Sequence, residues 1–360
     1  MREALRLARK GLGRTSPNPA VGAVIVRRDR VIAKGYHRRA GDKHAEVDAI
    51  DKVKGGLQPD DILYVTLEPC HHYGRTPPCT EAIIRAGFRN VVVGMRDPNK
   101  SVTGGGCEFL ARKGINVRTG VLESDCRKLN ESYIKHATTG RPFVIAKSAL
   151  TLDGFTATST GHSRWITNER SRQFVHRMRD GTDCVMVGAG TVLKDDPRLT
   201  TRLKNQRGRD PLRVVVDTDL RTPRNARVLH VSSPAKTVIA VGEQVSAERR
   251  RSFERKNVAT ICCPTKGGHI DLNGLMEILG KQGITSIMVE GGATLMGALI
   301  REELVDKFYI FKAPILLGGG DGTPMARGTG AKRIDQCLKL REIGVRRFGD
   351  DVLITGYPEY

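Results

Sequence analysis

The chain of 360 residues is poor in aromatics, with a single tryptophan and Phe, Trp and Tyr together at only 5%. It contains no uninterrupted apolar run near the roughly 20 residues that cross a bilayer, so no membrane association is expected. Met1-Arg2-Glu3-Ala4-Leu5-Arg6 enters a helical pattern at once. It carries neither the apolar stretch nor the cleavage site of a secretory leader, which makes a cytoplasmic protein the expectation. Gly-x-Gly-x-x-Gly is missing, so nothing supports a Rossmann domain. Acidic residues are outnumbered, 39 against 60 Lys and Arg, for a net charge of +21. Such charge raises nucleic acid as a partner, but the excess is shared between the two halves rather than gathered in a tail. The densest run, Arg249-Arg250-Arg251 with Arg255-Lys256, has only Phe253 beside it. Single-strand binders interleave aromatics with their positive groove, so this run reads as a solvated helix face and no nucleic-acid partner is expected. A phosphorylated substrate and a phosphorylated cofactor would suit the charge equally well.

The eight cysteines need not be disulfides in a chain this long. Cys107, Cys126, Cys184 and Cys337 stand alone and read as small core residues. Cys262 and Cys263 are neighbours in a strand and point to opposite faces. Cys70 and Cys79 are different. Ile62 to Leu67 reads as a buried strand stopped by Pro69, with Cys70 at the carboxyl end, where open α/β sheets place ligands. Pro77-Pro78 suits a first helical turn, putting Cys79 on that turn. Upstream, Asp42 is a plausible N-cap for a helix running to about Val53, and His44 and Glu46 fall at its start. One histidine, two cysteines and a nearby carboxylate form the zinc-deaminase arrangement. Three protein ligands (His44, Cys70, Cys79) leave a fourth tetrahedral position for a water whose pKa zinc lowers to about 7. Glu46 can take that water's proton and pass it to the departing amine. Two other readings stay open: a structural zinc with His71 or His72 as fourth ligand, and plain core cysteines.

The eight residues between the cysteines depart from the simple Cys-x-x-Cys spacing. Thr66-Leu67-Glu68-Pro69-Cys70 with Gly74-Arg75-Thr76-Pro77-Pro78-Cys79, and Ser16-Pro17-Asn18-Pro19-Ala20-Val21-Gly22-Ala23-Val24, resemble the bifunctional riboflavin-biosynthesis deaminase/reductase family. Lys147 to Gly154, Ser163-x-Trp165-Ile166-Thr167 and Thr191 to Thr200 resemble that family's reductase domain. The resemblance implies an α/β protein in which a cytidine-deaminase-like three-layer α/β/α domain, residues 1–140, precedes a dihydrofolate-reductase-like α/β domain, residues 141–360. The linker is Thr138-Thr139-Gly140-Arg141-Pro142. It further implies zinc and NADPH as cofactors and a phosphorylated ribosylaminopyrimidine as substrate. The first reaction would be hydrolytic deamination of 2,5-diamino-6-(5-phosphoribosylamino)pyrimidin-4-one, the second reduction of the product's ribosyl group to ribityl.

Carried over by position, Ala149, Trp165, Thr191, Asp195 and Thr218 would line the NADPH site. Asn18, Ser163, Arg179, Leu199 and Arg202 would meet substrate, the arginines suiting its phosphate, and His72 would line the deaminase pocket. Asn18 could equally form an Asx turn, and a lone Trp is ordinarily core. Ser286 to Ala298 runs from a strand through Gly291-Gly292 into a helix, a geometry that brings unpaired N–H groups to a phosphate. With the resemblance, Gly292, Ala293, Thr294, Leu295, Met296, Gly297 and Ala298 fall on the cofactor and Glu290 on the substrate's sugar. Lys147 and Glu290 are the candidates to assist protonation, and Gly318-Gly319-Gly320 reads as a flexible loop. A homo-oligomer is compatible with all of this. A tRNA-type polynucleotide deaminase with an accessory domain, and a zinc-stabilised binding module, are the competing functions.

Overall fold

The computed structural model describes residues 1–73, 77–99, 105–204, 206 and 208–360. Two compact units make up the chain, Met1–Arg141 and Pro142–Tyr360.

The first unit contains α1 (Arg2–Ala8), β1 (Gly22–Arg27), β2 (Arg30–Tyr36), α2 (Ala45–Ile50), β3 (Ile62–Leu67), α3 (Cys79–Arg85), β4 (Asn90–Met95), α4 (Gly106–Arg112), β5 (Asn116–Arg118), α5 (Glu123–Leu129) and α6 (Glu131–Thr139). Its sheet runs β2-β1-β3-β4-β5, with β1 antiparallel to both neighbours and β3, β4 and β5 parallel. Gly22 shows why α1 can lie flat on this sheet: a Cβ there would meet the Ala4 carbonyl oxygen at 2.0 Å. Gly35 faces Ala45 of α2 in the same way. It is the cross-strand partner of Ala23, so it faces the side opposite Gly22. Helices therefore cover both faces, as a three-layer sandwich requires. Leu63, Val65, Val91, Val93 and Met95 are completely buried between them.

Two boundaries differ from the sequence reading. The N-cap of α2 is His44, in extended conformation, and not Asp42, whose N–H closes a turn onto Arg39. The sequence pattern also predicts one helix from Glu123 to Thr138, but the chain breaks it at Asn130, whose side-chain amide accepts from the Ala20 N–H at 2.9 Å and donates to the Ala20 carbonyl at 3.1 Å. This buried clamp across the fold outweighs continuation of one helix. The Gly74–Thr76 part of the expected turn lies outside the described residues.

The second unit contains β6 (Phe143–Leu150), β7 (Phe155–Ala157), α7 (Glu169–Asp180), β8 (Cys184–Gly188), α8 (Ala189–Asp195), β9 (Leu212–Val216), β10 (Thr237–Gly242), α9 (Ala247–Arg251), β11 (Val258–Cys263), β12 (Thr265–Lys266), β13 (His269–Ile270), α10 (Leu272–Lys281), β14 (Ser286–Glu290), α11 (Ala293–Arg301), β15 (Lys307–Lys312), β16 (Thr323–Pro324), β17 (Lys339–Phe348) and β18 (Asp351–Glu359). Nine strands form its sheet in the order β11-β10-β9-β8-β14-β6-β15-β18-β17. The first seven are parallel, and β18 and β17 close the edge antiparallel. β8, β10 and β14 read as continuous apolar runs because both their faces are buried. β6, β8 and β14 are adjacent and parallel, so their carboxyl ends converge.

Two expectations are corrected here, for Cys337 and for the Gly318–Gly320 loop, and the general rule for a lone tryptophan does not hold. Cys337 is exposed, beyond a single 3-10 turn, and not a core residue. The lone Trp165 is 68% exposed and lies under the Arg172 guanidinium, so the ordinary core reading fails. The start of the Gly318–Gly320 loop is tied down, since Asp153 accepts from the N–H groups of Leu317 and Gly318. Cys262 is exposed and Cys263 buried, on opposite faces of β11.

Candidate functional site

The carboxyl end of β3 carries the first constellation. Glu68, just past the strand, accepts from the N–H groups of Asp97 and Cys107 at 3.0 and 2.9 Å, which pins the backbone leading to Cys70. Close packing tightens it further: a Cβ at Gly106 would fall 1.9 Å from the Pro69 carbonyl oxygen, so only glycine opens α4 here. The first turn of α3 meets Cys70 from the other side, where the Cys79 N–H points at the Cys70 sulfur at 3.3 Å and the Thr80 N–H at its carbonyl. His44 Nδ1 lies 3.2 Å from Cys79 Sγ and 3.5 Å from Cys70 Sγ. The three donor atoms all fall within 4.8 Å of one another. One imidazole and two thiols converging at this spacing suit a small borderline-soft cation, zinc above all.

Glu46, in the first turn of α2, is 3% exposed. Burial, then the charge of Cys70, pushes its carboxyl up to about 7. Hydrogen bonding from Cys79, then from His44, lowers the Cys70 thiol, while the Cys70 sulfur and burial raise that of Cys79. One sulfur therefore already favours the thiolate a metal requires. His71 is not part of this donor set: its Nδ1 bonds the Thr80 hydroxyl at 3.1 Å and its ring stacks on Phe109 at 3.7 Å between centroids. His72 is exposed. Asn18 lies beside His37, its Nδ2 3.3 Å from His37 Nε2, and the His37 ring meets that of His44 edge-on at 5.2 Å.

The second constellation stands where β6, β8 and β14 end. Lys147 and Glu290 are cross-strand partners. Arg179 of α7 forks onto Glu290, Nε to Oε1 at 2.5 Å and Nη2 to Oε2 at 2.9 Å, and Lys147 Nζ is 3.8 Å from Oε2. Burial alone would raise the Glu290 carboxyl, but Arg179 and then Lys147 overcome it and hold it at about 2. Burial lowers Lys147, against the opposing pull of Glu290. The third Arg179 nitrogen, Nη1, donates to the Thr200 carbonyl at 2.8 Å. That contact places the guanidinium next to Leu199, which is buried in a left-handed conformation. Arg202 bonds the Thr200 hydroxyl at 2.7 Å and is exposed.

Past β14, Gly291 and Gly292 both take left-handed φ, and a Cβ at Gly292 would sit 3.3 Å from the Thr191 hydroxyl. Gly292, Ala293 and Thr294 thus form the open amino-terminal turn of α11 beside Thr191, a cradle that fits a phosphate of a dinucleotide cofactor. Leu295 and Met296 turn their side chains into the core. Gly297 is required for packing, since a Cβ there would lie 1.9 Å from the Arg327 carbonyl oxygen. Ala298 is half-buried in the same helix.

The remaining predicted residues are more scattered. Ala149 is half-buried in β6, and Ser163 is half-buried in the stretch before α7. The Asp195 carbonyl takes the Arg164 guanidinium at 2.6 Å, and burial raises its carboxyl. The Thr218 hydroxyl accepts from the Ile270 N–H at 3.3 Å. Trp165 lines a cleft of about 390 Å³ with Ile166, Arg172, Pro314 and Asp350.

Comparison with known proteins identifies the domain family of each unit. Residues 142–354 match the family described as the RibD C-terminal domain, and residues 1–95 match the cytidine and deoxycytidylate deaminase zinc-binding region. The riboflavin biosynthesis protein RibD of Aquifex aeolicus is 40% identical over 98% of this chain and 96% of its own length. That of Escherichia coli is 39% identical over 98% and 97%. The chain belongs to the RibD family.

Solved structures agree with this RibD assignment. A diaminohydroxyphosphoribosylaminopyrimidine deaminase/5-amino-6-(5-phosphoribosylamino)uracil reductase of Thermotoga maritima superposes with a TM-score of 0.88 at 37% identity, covering 99% of this chain and 97% of that one. Acinetobacter baumannii RibD gives 0.88 at 35%, covering 100% and 98%. The chain is accordingly a bifunctional enzyme of riboflavin biosynthesis, a zinc-dependent deaminase and an NADPH-dependent reductase. The polynucleotide-deaminase alternative is not favoured, because the second unit matches a reductase domain and not an accessory module. No helix among the described residues is long and apolar enough to cross a membrane.

Two side chains at these sites escaped the sequence reading. His37 follows β2 with no motif of its own, and His176 of α7 accepts from the Arg202 N–H at 3.3 Å, 26 residues on in the chain. Only spacing to Arg179, three positions on, placed His176 on the same helical face.

Proposed function

We propose that residues 1–140 carry the deaminase and residues 141–360 the reductase. The substrate of the first is 2,5-diamino-6-(5-phosphoribosylamino)pyrimidin-4-one. The observation that supports this most directly is the meeting of His44, Cys70 and Cys79 with a buried carboxyl that is not one of the three donors. His44, Cys70 and Cys79 would hold zinc, which when bound supplies a water acidified to neutral pH. Glu46, with a carboxyl near 7, is matched to take a proton from the attacking water and return it to the departing amine. Asn18 contacts the pyrimidine from the rim, and ammonia leaves as the ring gains an oxo group.

In the second unit bound NADPH would supply the hydride for reduction of the opened sugar. Gly292, Ala293 and Thr294 would seat its phosphates, with Ala149, Trp165, Thr191, Asp195 and Thr218 around the rest of the cofactor. Ser163, Leu199 and Arg202 meet the substrate and Glu290 its sugar. Arg179 is engaged on Glu290 and Thr200 through all three nitrogens, so the phosphate falls chiefly to Arg202 and Arg179 sets the Glu290 carboxylate. Of the two protonation candidates, Lys147 is the better acid, because burial lowers it while Glu290 stays ionised.

Glu46→Gln tests the reading. The variant should keep its zinc and lose ammonia release by about 100-fold or more, while NADPH oxidation driven by the deaminated product continues. Unchanged ammonia release would refute the role given to Glu46.

A further inference from the structure

His37 has no role in the account above, yet it is 3% exposed and committed at both ring nitrogens. Nδ1 lies 3.1 Å from the Lys43 carbonyl oxygen, immediately before the ligand His44. A carbonyl can only accept, so Nδ1 carries the proton and Nε2 of the neutral ring is an acceptor. The group facing Nε2 at 3.3 Å is the Asn18 amide nitrogen, which has a proton to give. A directional relay therefore runs from Asn18 Nδ2–H to His37 Nε2 and from His37 Nδ1–H to Lys43.

The backbone on either side removes the remaining freedom. The His37 N–H bonds the Val21 carbonyl at 2.9 Å, and the Asn18 N–H bonds the Thr15 carbonyl at 2.8 Å. Asn18 is only half-buried, and its Oδ1 is not among the buried side-chain atoms left without a partner. That oxygen is accessible and takes no hydrogen bond among the described residues. An asparagine amide left to itself can rotate by half a turn and exchange acceptor for donor; this one is prevented from doing so by its neighbour.

We propose that His37 is a positioning residue of the deamination site. It holds Asn18 in the single orientation that offers the amide oxygen to a ring N–H of the pyrimidinone, and so selects substrates that carry that donor next to the reacting carbon. The inference rests on the deaminase reading of Asn18, and the test separates the two.

The test is a double-mutant cycle on ammonia release, run on the full zinc-loaded chain with the natural substrate and an analogue methylated at the ring nitrogen. Asn18→Ala and His37→Leu should each raise KM by about tenfold, the worth of one oriented hydrogen bond. Each should also bring the preference for the unmethylated compound close to one. The double variant should be no worse than the poorer single, because His37 acts only through Asn18. His37→Gln, which retains an acceptor at the position of Nε2, should recover KM to within about threefold. Multiplying effects in the double variant, or an unchanged preference in His37→Leu, would overturn the proposal. Loss of zinc in His37→Leu would do the same, by assigning His37 to holding the Lys43–His44 turn. Absence of ammonia release from the unaltered protein would instead defeat the deaminase reading itself.

Discussion

Neutralising Glu290 should destabilise the reductase unit by an amount its surroundings allow to be worked out. The Glu290 carboxyl titrates at about 2 in the fold against an ordinary value of 4.5. Each unit of that difference corresponds to about 1.4 kcal/mol, so the ionised form contributes about 3 kcal/mol. Breaking a buried pair from one side costs about 3–5 kcal/mol, and Glu290→Gln would leave Arg179 and Lys147 buried without their counter-charge. The sign follows from the depressed value. The contribution is fully present above pH 4.5 and is lost as pH falls toward 2, with about half gone by pH 3 by the same linkage. Urea unfolding of wild type and Glu290→Gln, followed by circular dichroism at pH values from 7 to 3, measures it. The reductase transition should separate by about 3 kcal/mol at pH 7, and the gap should narrow below pH 4.5. A gap under about 1 kcal/mol at pH 7, or one that does not change with pH, would show that Arg179 and Lys147 do not hold this carboxylate as described.

Chelation should abolish ammonia release and leave NADPH oxidation with the deaminated product intact, since the three metal donors lie in the first unit alone; parallel loss of both activities would contradict that separation. Asn130→Ala removes two buried hydrogen bonds to Ala20 and should lower the stability of the deaminase unit by about 2–3 kcal/mol, read as a shift in its urea midpoint. Gly22→Ala forces a methyl to within 2.0 Å of the Ala4 carbonyl oxygen. It should cost about 1–3 kcal/mol or more through displacement of α1, whereas Gly55→Ala, with nothing in its way but a left-handed backbone, should cost about 1 kcal/mol.

Local pattern carried much of the architecture. The strand Ile62–Leu67 and the start of α3 at Cys79 follow from an apolar run, a stopping proline and a proline pair, all of which act within a few residues. The His-x-Glu and the paired cysteines were legible because zinc chemistry restricts the residue types that can serve it. The break at Asn130 was not legible, because its cause is a backbone 110 positions away.

By itself, then, the order of residues determined the alternation of strands and helices and the chemical types of the side chains that meet at the end of β3. Hydrophobic period and ligand chemistry are local properties, and a chain displays them before it folds. Only the tertiary structure decided that His44 would stand beside sulfurs 26 and 35 residues away, that Arg179 would fork onto a carboxylate 111 residues later, and that His37 would stand beside Asn18. Those meetings depend on strand order and register, which are set by the packing of whole sheets and leave no mark on any short stretch of sequence.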